Sequence, residues 1–443
     1  MNVVLFVIDT LRADHLGCYG YFRGTSPTID HLAAEGVRFA DSHATAVATG
    51  PGFTSIITGL SPIHHKFYLT PFNIPNAINF DDNIPTLAEM IWDHGGYTTA
   101  AFDNLINFRS HMKQFVRGYE YYVNVTRTSR WIHHHVVGGE VNKRLVPWIQ
   151  SHKGEQFFLF VHYWDPHTPY NQPPEYRKMF KYSSMSDLEK KAVPSGYEYV
   201  QGWGTCEEIM RPVSEREIKG WPSTEEYPID LYDGEIRYTD DLIKEALEAL
   251  DLAGILEDTV VILTADHGEQ LGQHGHYGHP GLHEPNIFVP IILWHPPSLP
   301  QGKVIEGYVQ QSDIAPTVLD MIGAKPTGEM DGKSLLPIVQ EKRNTREEIF
   351  VETNQQRAIL SRQWKLIRDV WGNKGLYNFR SDPMEAINMI DKEVSKREEL
   401  EDTLNEWVKT NVPEGEADPM FTAAEQRKRA TGEKEGWEMR PQV

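Results

Sequence analysis

The sequence predicts an α/β protein with a mostly parallel central sheet flanked by helices, followed by a small C-terminal α+β subdomain. Three observations carry this. The apolar runs Val3 to Ile8, Phe157 to Val161 and Val260 to Leu263 are rich in β-branched or aromatic residues and lack polar alternation. Strands covered on both faces read this way. Helical patterns separate the runs, and such alternation indicates a parallel sheet. After about residue 345 the pattern changes to closely spaced short strands and one helix.

The elements follow in order. Val3 to Ile8 is the first strand. Ser26-Pro27 caps and opens a helix that closes at Gly36. From Thr49 to Gly59 a second helix is predicted, with Pro51 in its first turn, Phe53, Ile56 and Ile57 facing inward, and Gly59 as its stop. Thr49 then lies at or just before the N-cap, where free N–H groups and the helix dipole favour negative charge. Pro85 to His94 is a helix stopped by Gly95-Gly96, and Tyr97 to Phe102 a strand. Residues from about 170 to 228 are irregular and rich in Pro, Gly, Ser, Trp and Tyr, which predicts a long insertion packed partly on itself. Thr239 to Leu252 is amphipathic through Leu242, Ile243, Ala246, Leu247 and Leu250. In the last part, Glu348 to Val351, Arg357 to Leu360, Trp364 to Asp369 and Leu376 to Asn378 read as antiparallel strands, and Lys392 to Lys409 as a helix. The expected division is residues 1–345, 346–410 and a polar tail, 411–443, either loose or laid on a neighbouring surface.

A chain of 443 residues suggests two or three domains, and 40% hydrophobic with 24% charged residues is an ordinary globular balance. The formal charge of −20 argues against a nucleic-acid binder, since no basic surplus exists to neutralise phosphates. An anionic substrate would have to be drawn in by local devices, a metal or helix ends. Two cysteines, Cys18 and Cys206, give no disulfide framework. No apolar run approaches the roughly 20 residues of a membrane span, and Met1-Asn2 leads into the first strand without a basic leader. The expectation is a cytoplasmic protein with a small-molecule substrate and neither nucleic-acid nor membrane partners. Homo-oligomerisation is left open.

The chemistry-bearing residues follow the strands. The first run ends in Asp9, the second leads to His162, Asp165 and His167, and the third ends in Asp266-His267. Ligands of open α/β sheets bind beyond the carboxyl ends of the strands, so these groups are expected on one rim. Asp9, Asp266 and His267 offer oxygen and nitrogen ligands to one divalent ion, Mn2+, Zn2+, Ca2+ or Mg2+. On its own segment Thr49 reads as a capping threonine. Beside such an ion its hydroxyl becomes a nucleophile, because ion and helix end both stabilise the alkoxide.

These residues carry a resemblance. Asp9-Thr10-Leu11-Arg12-Ala13-Asp14-His15-Leu16-Gly17-Cys18-Tyr19-Gly20 resembles the opening motif of the sulfatases, within the alkaline phosphatase superfamily. Phe158 to Tyr170, Tyr232 to Asp240, Thr264 to Gly272, Trp364 to Ile367, Leu376-Tyr377 and Asp382-Pro383 match in family order over almost the whole chain. The resemblance implies an alkaline-phosphatase-like fold, a metal held by Asp9, Asp266, His267 and Thr49, and a catalytic His167. It also implies departures. The family cysteine oxidised to formylglycine is Thr49 here; the arginine four residues on is Phe53; the acid after Asp9 is Thr10; the lysine near residue 279 is His279. The family's lysine and histidine are absent around Asp103-Asn104-Leu105. Formylglycine chemistry is thereby ruled out. A threonine nucleophile resembles the phosphatase, phosphodiesterase and phosphonate-hydrolase branches, with His279 as a further general acid. A sulfatase working without formylglycine and a catalytically silent anion-binding relative are the alternatives. His274 and His276 are expected to line the pocket or pack, as opposed to binding a second metal, and His133-His134-His135 to pack in an insertion or at the surface.

Overall fold

The computed structural model describes residues 1–68, 80–105, 112–126, 136–168, 170–181 and 228–431. His133-His134-His135, most of the 170–228 insertion and the end of the tail lie outside them. Strands β1 (Asn2–Ile8), β5 (Phe157–Tyr163) and β6 (Thr259–Ala265) are buried along their whole length. β1 pairs in parallel with both others and forms the middle of the sheet. Five more strands complete it: β2 (Val37–His43), β3 (Thr98–Asp103), β4 (Tyr121–Asn124), β9 (Ile291–Trp294) and β10 (Lys303–Gln310). The order is β10-β2-β9-β6-β1-β5-β3-β4, and only β9 runs antiparallel to its neighbours; the two-residue strands β7 (Gln270–Leu271) and β8 (Tyr277–Gly278) pair with each other apart from it.

Alternation along β1 explains the two layers. Val4, Phe6 and Ile8 face one core, where helices α1 (Pro27–Ala34), α5 (Gly139–His152) and α6 (Pro228–Leu252) pack. Val3, Leu5 and Val7 face the other, built with α2 (Thr49–Thr58), which the one-turn α3 (Pro62–His65) follows, α4 (Leu87–His94) and α7 (Ile314–Ile322). Side chains on a strand alternate between faces, so a run without alternation needs apolar cover on both sides.

The boundaries correct several expectations. α6 begins at Pro228, eleven residues before the predicted Thr239. Its first turns are buried nearly all round, so they carry no apolar stripe to read. Ser26 does not cap α1 with its side chain. Asp240 of α6 does, accepting from the Thr28 and Ile29 amides at 2.9 and 2.8 Å. The helix before β3 starts at Leu87, behind a Thr86–Glu89 capping box.

Beyond the catalytic sheet, β11 (Glu348–Glu352), β12 (Gln356–Ser361), β13 (Trp364–Asp369) and β14 (Lys374–Asn378) form an antiparallel meander, as predicted, with ends extended by one or two residues. Helix α8 (Val394–Asn411) covers it through Leu400 and Leu404. Several contacts tie this sheet to the catalytic one, two of them close to the candidate site's frame. Val47 donates its amide to the Glu352 carbonyl (3.1 Å). Lys365, fully buried, pairs with Glu284 and Glu385 at 2.6 Å each. The polar tail is laid on a neighbouring surface as far as it is described: helix α9 (Pro419–Thr431) packs Met420 and Ala423 against Tyr68. No helix among the described residues is long and apolar enough to cross a membrane.

Candidate active site

Asp9 and Asp266 are the first residues beyond β1 and β6, neighbouring strands in register, so their side chains leave the sheet side by side. His267 follows, and ligand atoms of Asp9, Asp266 and His267 all lie within 4.8 Å of one another, fully buried. Second contacts hold Asp266 and His267 in place. Asp266 accepts the Thr10 and His267 amides on Oδ1, at 3.0 and 2.8 Å. Its Oδ2 accepts no hydrogen bond among the described residues, nor does either oxygen of Asp9. The His267 ring lies with Nδ1 2.9 Å from the Gly268 carbonyl, which makes Nδ1 the protonated nitrogen. Nε2 is left facing Asp266 Oδ2 at 3.3 Å.

Burial without compensation drives the electrostatics. Desolvation, then the neighbouring Asp266 and Glu269 charges, pushes the Asp9 carboxyl well up. Desolvation raises Asp266 to about 7 despite its two amide donors. Desolvation, then His279, holds His267 well down, in the neutral form that ligates metals. Buried carboxylate oxygens without partners beside a neutral imidazole are the donor set of a divalent cation. These residues fit such an ion.

Thr49 sits beside this group. Its Oγ1 is 3.4 Å from His267 Nε2, and it is half-buried where Asp9, Asp266 and His267 are fully buried. It is not the cap of α2 but its first helical residue. Ala48 is the N-cap, at φ 91°. The unusual φ lets the chain leave the Thr45–Val47 contact with the second sheet and enter α2 with Thr49 turned towards His267. Pro51 falls at the third position, and the Thr49 and Gly50 amides lie at the helix start, where no intrahelical acceptor exists. Gly52 lets α2 approach: a Cβ there would lie 2.8 Å from the Asp266 carbonyl oxygen. Gln311 completes the frame, donating to that carbonyl at 2.7 Å and accepting the Thr45 amide at 3.0 Å.

His167 and His279 both reach the site. Their rings are 5.4 Å apart, and His279 is 4.4 Å from the His267 ring. Burial opposes charge on His279, but the Glu269 and Asp266 carboxylates outweigh it and raise its pKa. Asp165, expected on the same rim, turns away: Oδ2 accepts the Gly138 amide (2.9 Å) and the Asn104 side chain (3.3 Å), bracing two loops. His274 stacks on His283 (3.7 Å) near Glu385, at the edge of the second sheet.

The motif-by-motif reading gave Glu269 no role, whereas His162 lies on the rim where it was expected. Glu269 lies three positions after Asp266, 1% exposed, with Oε2 3.6 Å from His279 Nδ1. A glutamate that close to a ligand pair was the available signal. His162, held low at about 3 by desolvation, has Nε2 3.6 Å from Asp9 Oδ2. Phe53, at the arginine position of the family motif, packs its ring 4.7 Å from that of His162. An aromatic wall therefore stands where a guanidinium would bring positive charge.

A mostly parallel sheet with an Asp, Asp-His and hydroxyl constellation at its carboxyl edge defines an alkaline-phosphatase-superfamily fold. The sulfatase family model matches residues 1–324, and the chain belongs to the sulfatase family. It is a sulfatase-family hydrolase. A second model, described as N-sulphoglucosamine sulphohydrolase, C-terminal, matches residues 272–411. Among curated relatives, the multifunctional alkaline phosphatase superfamily protein PehA of Trinickia caryophylli is 25% identical, over 77% of either chain. An arylsulfatase of Clostridium perfringens is 23% identical, over 89% of this chain and 91% of its own. Among solved structures, the phosphonate monoester hydrolase of Agrobacterium radiobacter superposes with a TM-score of 0.75 at 21% identity, covering 93% of this chain and 96% of the other.

Proposed function

We propose that the chain hydrolyses phosphate esters, phosphodiesters or phosphonate esters with Thr49 as nucleophile. The observation that carries this reading is the Thr49 hydroxyl, at the open end of α2 and 3.4 Å from His267 Nε2, beside carboxylate oxygens that lack partners among the described residues. Asp9, Asp266 and His267 would hold one divalent ion, with Thr49 adjoining it. That ion supplies Lewis acidity, which activates the hydroxyl and offsets charge on the ester.

Thr49 gives its hydroxyl proton to water and Oγ1 attacks phosphorus in line, so that a threonine–phosphorus ester forms as the bond to the leaving oxygen breaks. With one ion bound, His167 and His279 meet that oxygen, and a proton from this imidazole pair releases it as an alcohol. Water then attacks phosphorus and gives its proton to the same pair, as the Thr49 oxygen leaves and takes a proton back from solvent. A threonine ester has no geminal hydroxyl, so it cannot collapse to an aldehyde, and the second attack must fall on phosphorus. The likeness to phosphonate monoester hydrolases and to PehA supports a phosphorus centre.

Metal-loaded Thr49→Ala should lose turnover of the best substrate by a factor on the order of 10^3 or more, while Thr49→Ser retains most of it. Turnover by the alanine variant at the wild-type rate would remove the nucleophile. Parallel assays on phosphate monoester, phosphodiester, phosphonate monoester and aryl sulfate fix the substrate class. A preference for aryl sulfate would overturn the phosphorus assignment and leave the threonine role to be judged by Thr49→Ala alone.

A further inference from the structure

Glu269, His167 and His279 form a second convergence of metal-competent groups beside the first. Their ligand atoms lie within 4.8 Å of one another. Glu269 Oε2 is buried and accepts no hydrogen bond among the described residues, and His279 Nδ1 stands 3.6 Å from it. His167 Nδ1 faces the Thr168 carbonyl, and the ring contributes a ligand atom to this group. The separation of the His267 and His279 rings, 4.4 Å, puts the two ligand sets side by side.

Charge balance gives this geometry its meaning. Asp9, Asp266 and Glu269 are three buried carboxyl groups in one site. Arg12 approaches through Nη1, but onto the Glu269 backbone carbonyl (3.0 Å), while its Nε and Nη2 pair with Asp14. Phe53 supplies no charge. With the imidazoles neutral, as ligands must be, one divalent ion leaves the three carboxylates with a net negative charge, facing a substrate that is itself an anion. A second divalent ion reverses the sign.

We propose that His167, Glu269 and His279 bind a second divalent cation, of the Zn2+ or Mn2+ type that mixed imidazole–carboxylate sites take. The proposal rests on the hydrolase reading and deepens it. With the second ion bound, charge on the leaving oxygen is met by the cation, and both imidazoles serve as ligands in place of proton donors. Two ions a few ångströms apart suit an in-line displacement at phosphorus, one beside the attacking oxygen and one beside the leaving oxygen. The third convergence, His274, His283 and Glu385, is a different case. There the Lys365 ammonium, 2.6 Å from Glu385, already supplies the positive charge.

The test is ion stoichiometry. The full chain is stripped with a chelator, titrated calorimetrically with Zn2+ and, separately, Mn2+, and its metal content measured after desalting. Wild type should take up two ions. Glu269→Gln and His279→Ala should each retain one and lose the second, its affinity falling at least about tenfold, while His283→Ala retains two. Thermal melts of the stripped variants check folding, and either of the first two variants suffices. One ion per wild-type chain at saturating metal overturns the proposal. So do two tightly held ions in both Glu269→Gln and His279→Ala, because the second would then lie elsewhere. A fully active Thr49→Ala variant with two ions would remove the nucleophile and leave this site standing. A wild type with one ion and a dead Thr49→Ala variant would do the reverse.

Discussion

Thr10 takes φ 55°, a left-handed conformation that a β-branched residue rarely adopts. Its surroundings hold it there: its amide donates to Asp266, and its carbonyl accepts the Tyr232 hydroxyl at 2.7 Å. The same hydroxyl accepts the Arg12 amide at 3.0 Å. Tyr232 thus clamps both ends of the turn that follows Asp9, from a helix far away in sequence. Tyr232→Phe should weaken divalent-ion binding about 10–100-fold and lower stability by about 1–3 kcal/mol, because the buried Arg12 amide loses its acceptor. An ion titration with a denaturant melt checks both, and unchanged ion affinity would mean that Tyr232 does not position the site. At this scale the sequence disclosed Asp9, Asp266 and His267, because each stands at the end of an apolar strand and polar residues there need a reason. Glu269 and Tyr232 were less legible. Their importance comes from what they face across the fold, and neither breaks a local pattern.

Whole elements place the site through contacts that hardly tolerate an added carbon. α2 rests on the end of β6 at Gly52, where a methyl would lie 2.8 Å from backbone oxygen that Gln311 also holds. Gly52→Ala should therefore displace the start of α2, lowering kcat and destabilising the fold by about 1–3 kcal/mol. Turnover and thermal unfolding report this, and wild-type kcat in a folded Gly52→Ala protein would show that α2 yields without moving Thr49. The second sheet is fastened at a charge. Lys365→Met would leave Glu284 and Glu385 buried without their cation, a loss of about 3–5 kcal/mol at neutral pH by denaturant melt. The Glu385 carboxyl, buried but held low by Lys365 and then His283, contributes stability that is present above the ordinary glutamate range and lost as pH falls. The Lys365→Met deficit should accordingly shrink in acid. A deficit that grows in acid would contradict this pairing. Element types and order were readable from periodicity because both faces of the sheet needed apolar cover. Boundaries failed where tertiary contacts replaced local ones: Asp240 caps α1 across the fold, and the start of α6 is buried on every side.

For the whole molecule, the burial of Asp9 and Asp266 would couple folding to the binding of the proposed ion. In the ion-free protein, desolvation raises both carboxyls, Asp266 to about 7. A folded pKa above the unfolded one gives stability that is full below the ordinary aspartate range, near 3.8, and is lost as pH rises towards 7. Ion-free protein should therefore weaken between about pH 4 and pH 7. An ion held by these residues would reverse this, because it would bind the ionised carboxylates with an affinity that rises with their deprotonation. Ligand linkage adds about 4 kcal/mol at an ion concentration a thousand times Kd. The difference in Tm between ion-loaded and chelator-stripped protein should widen from pH 5 to pH 8. Taking that difference cancels groups remote from the ion, the Lys365 cluster among them, so its pH slope reports these carboxylates. A difference that stays constant or narrows over that range would separate Asp9 and Asp266 from the ion site, whatever the substrate proves to be.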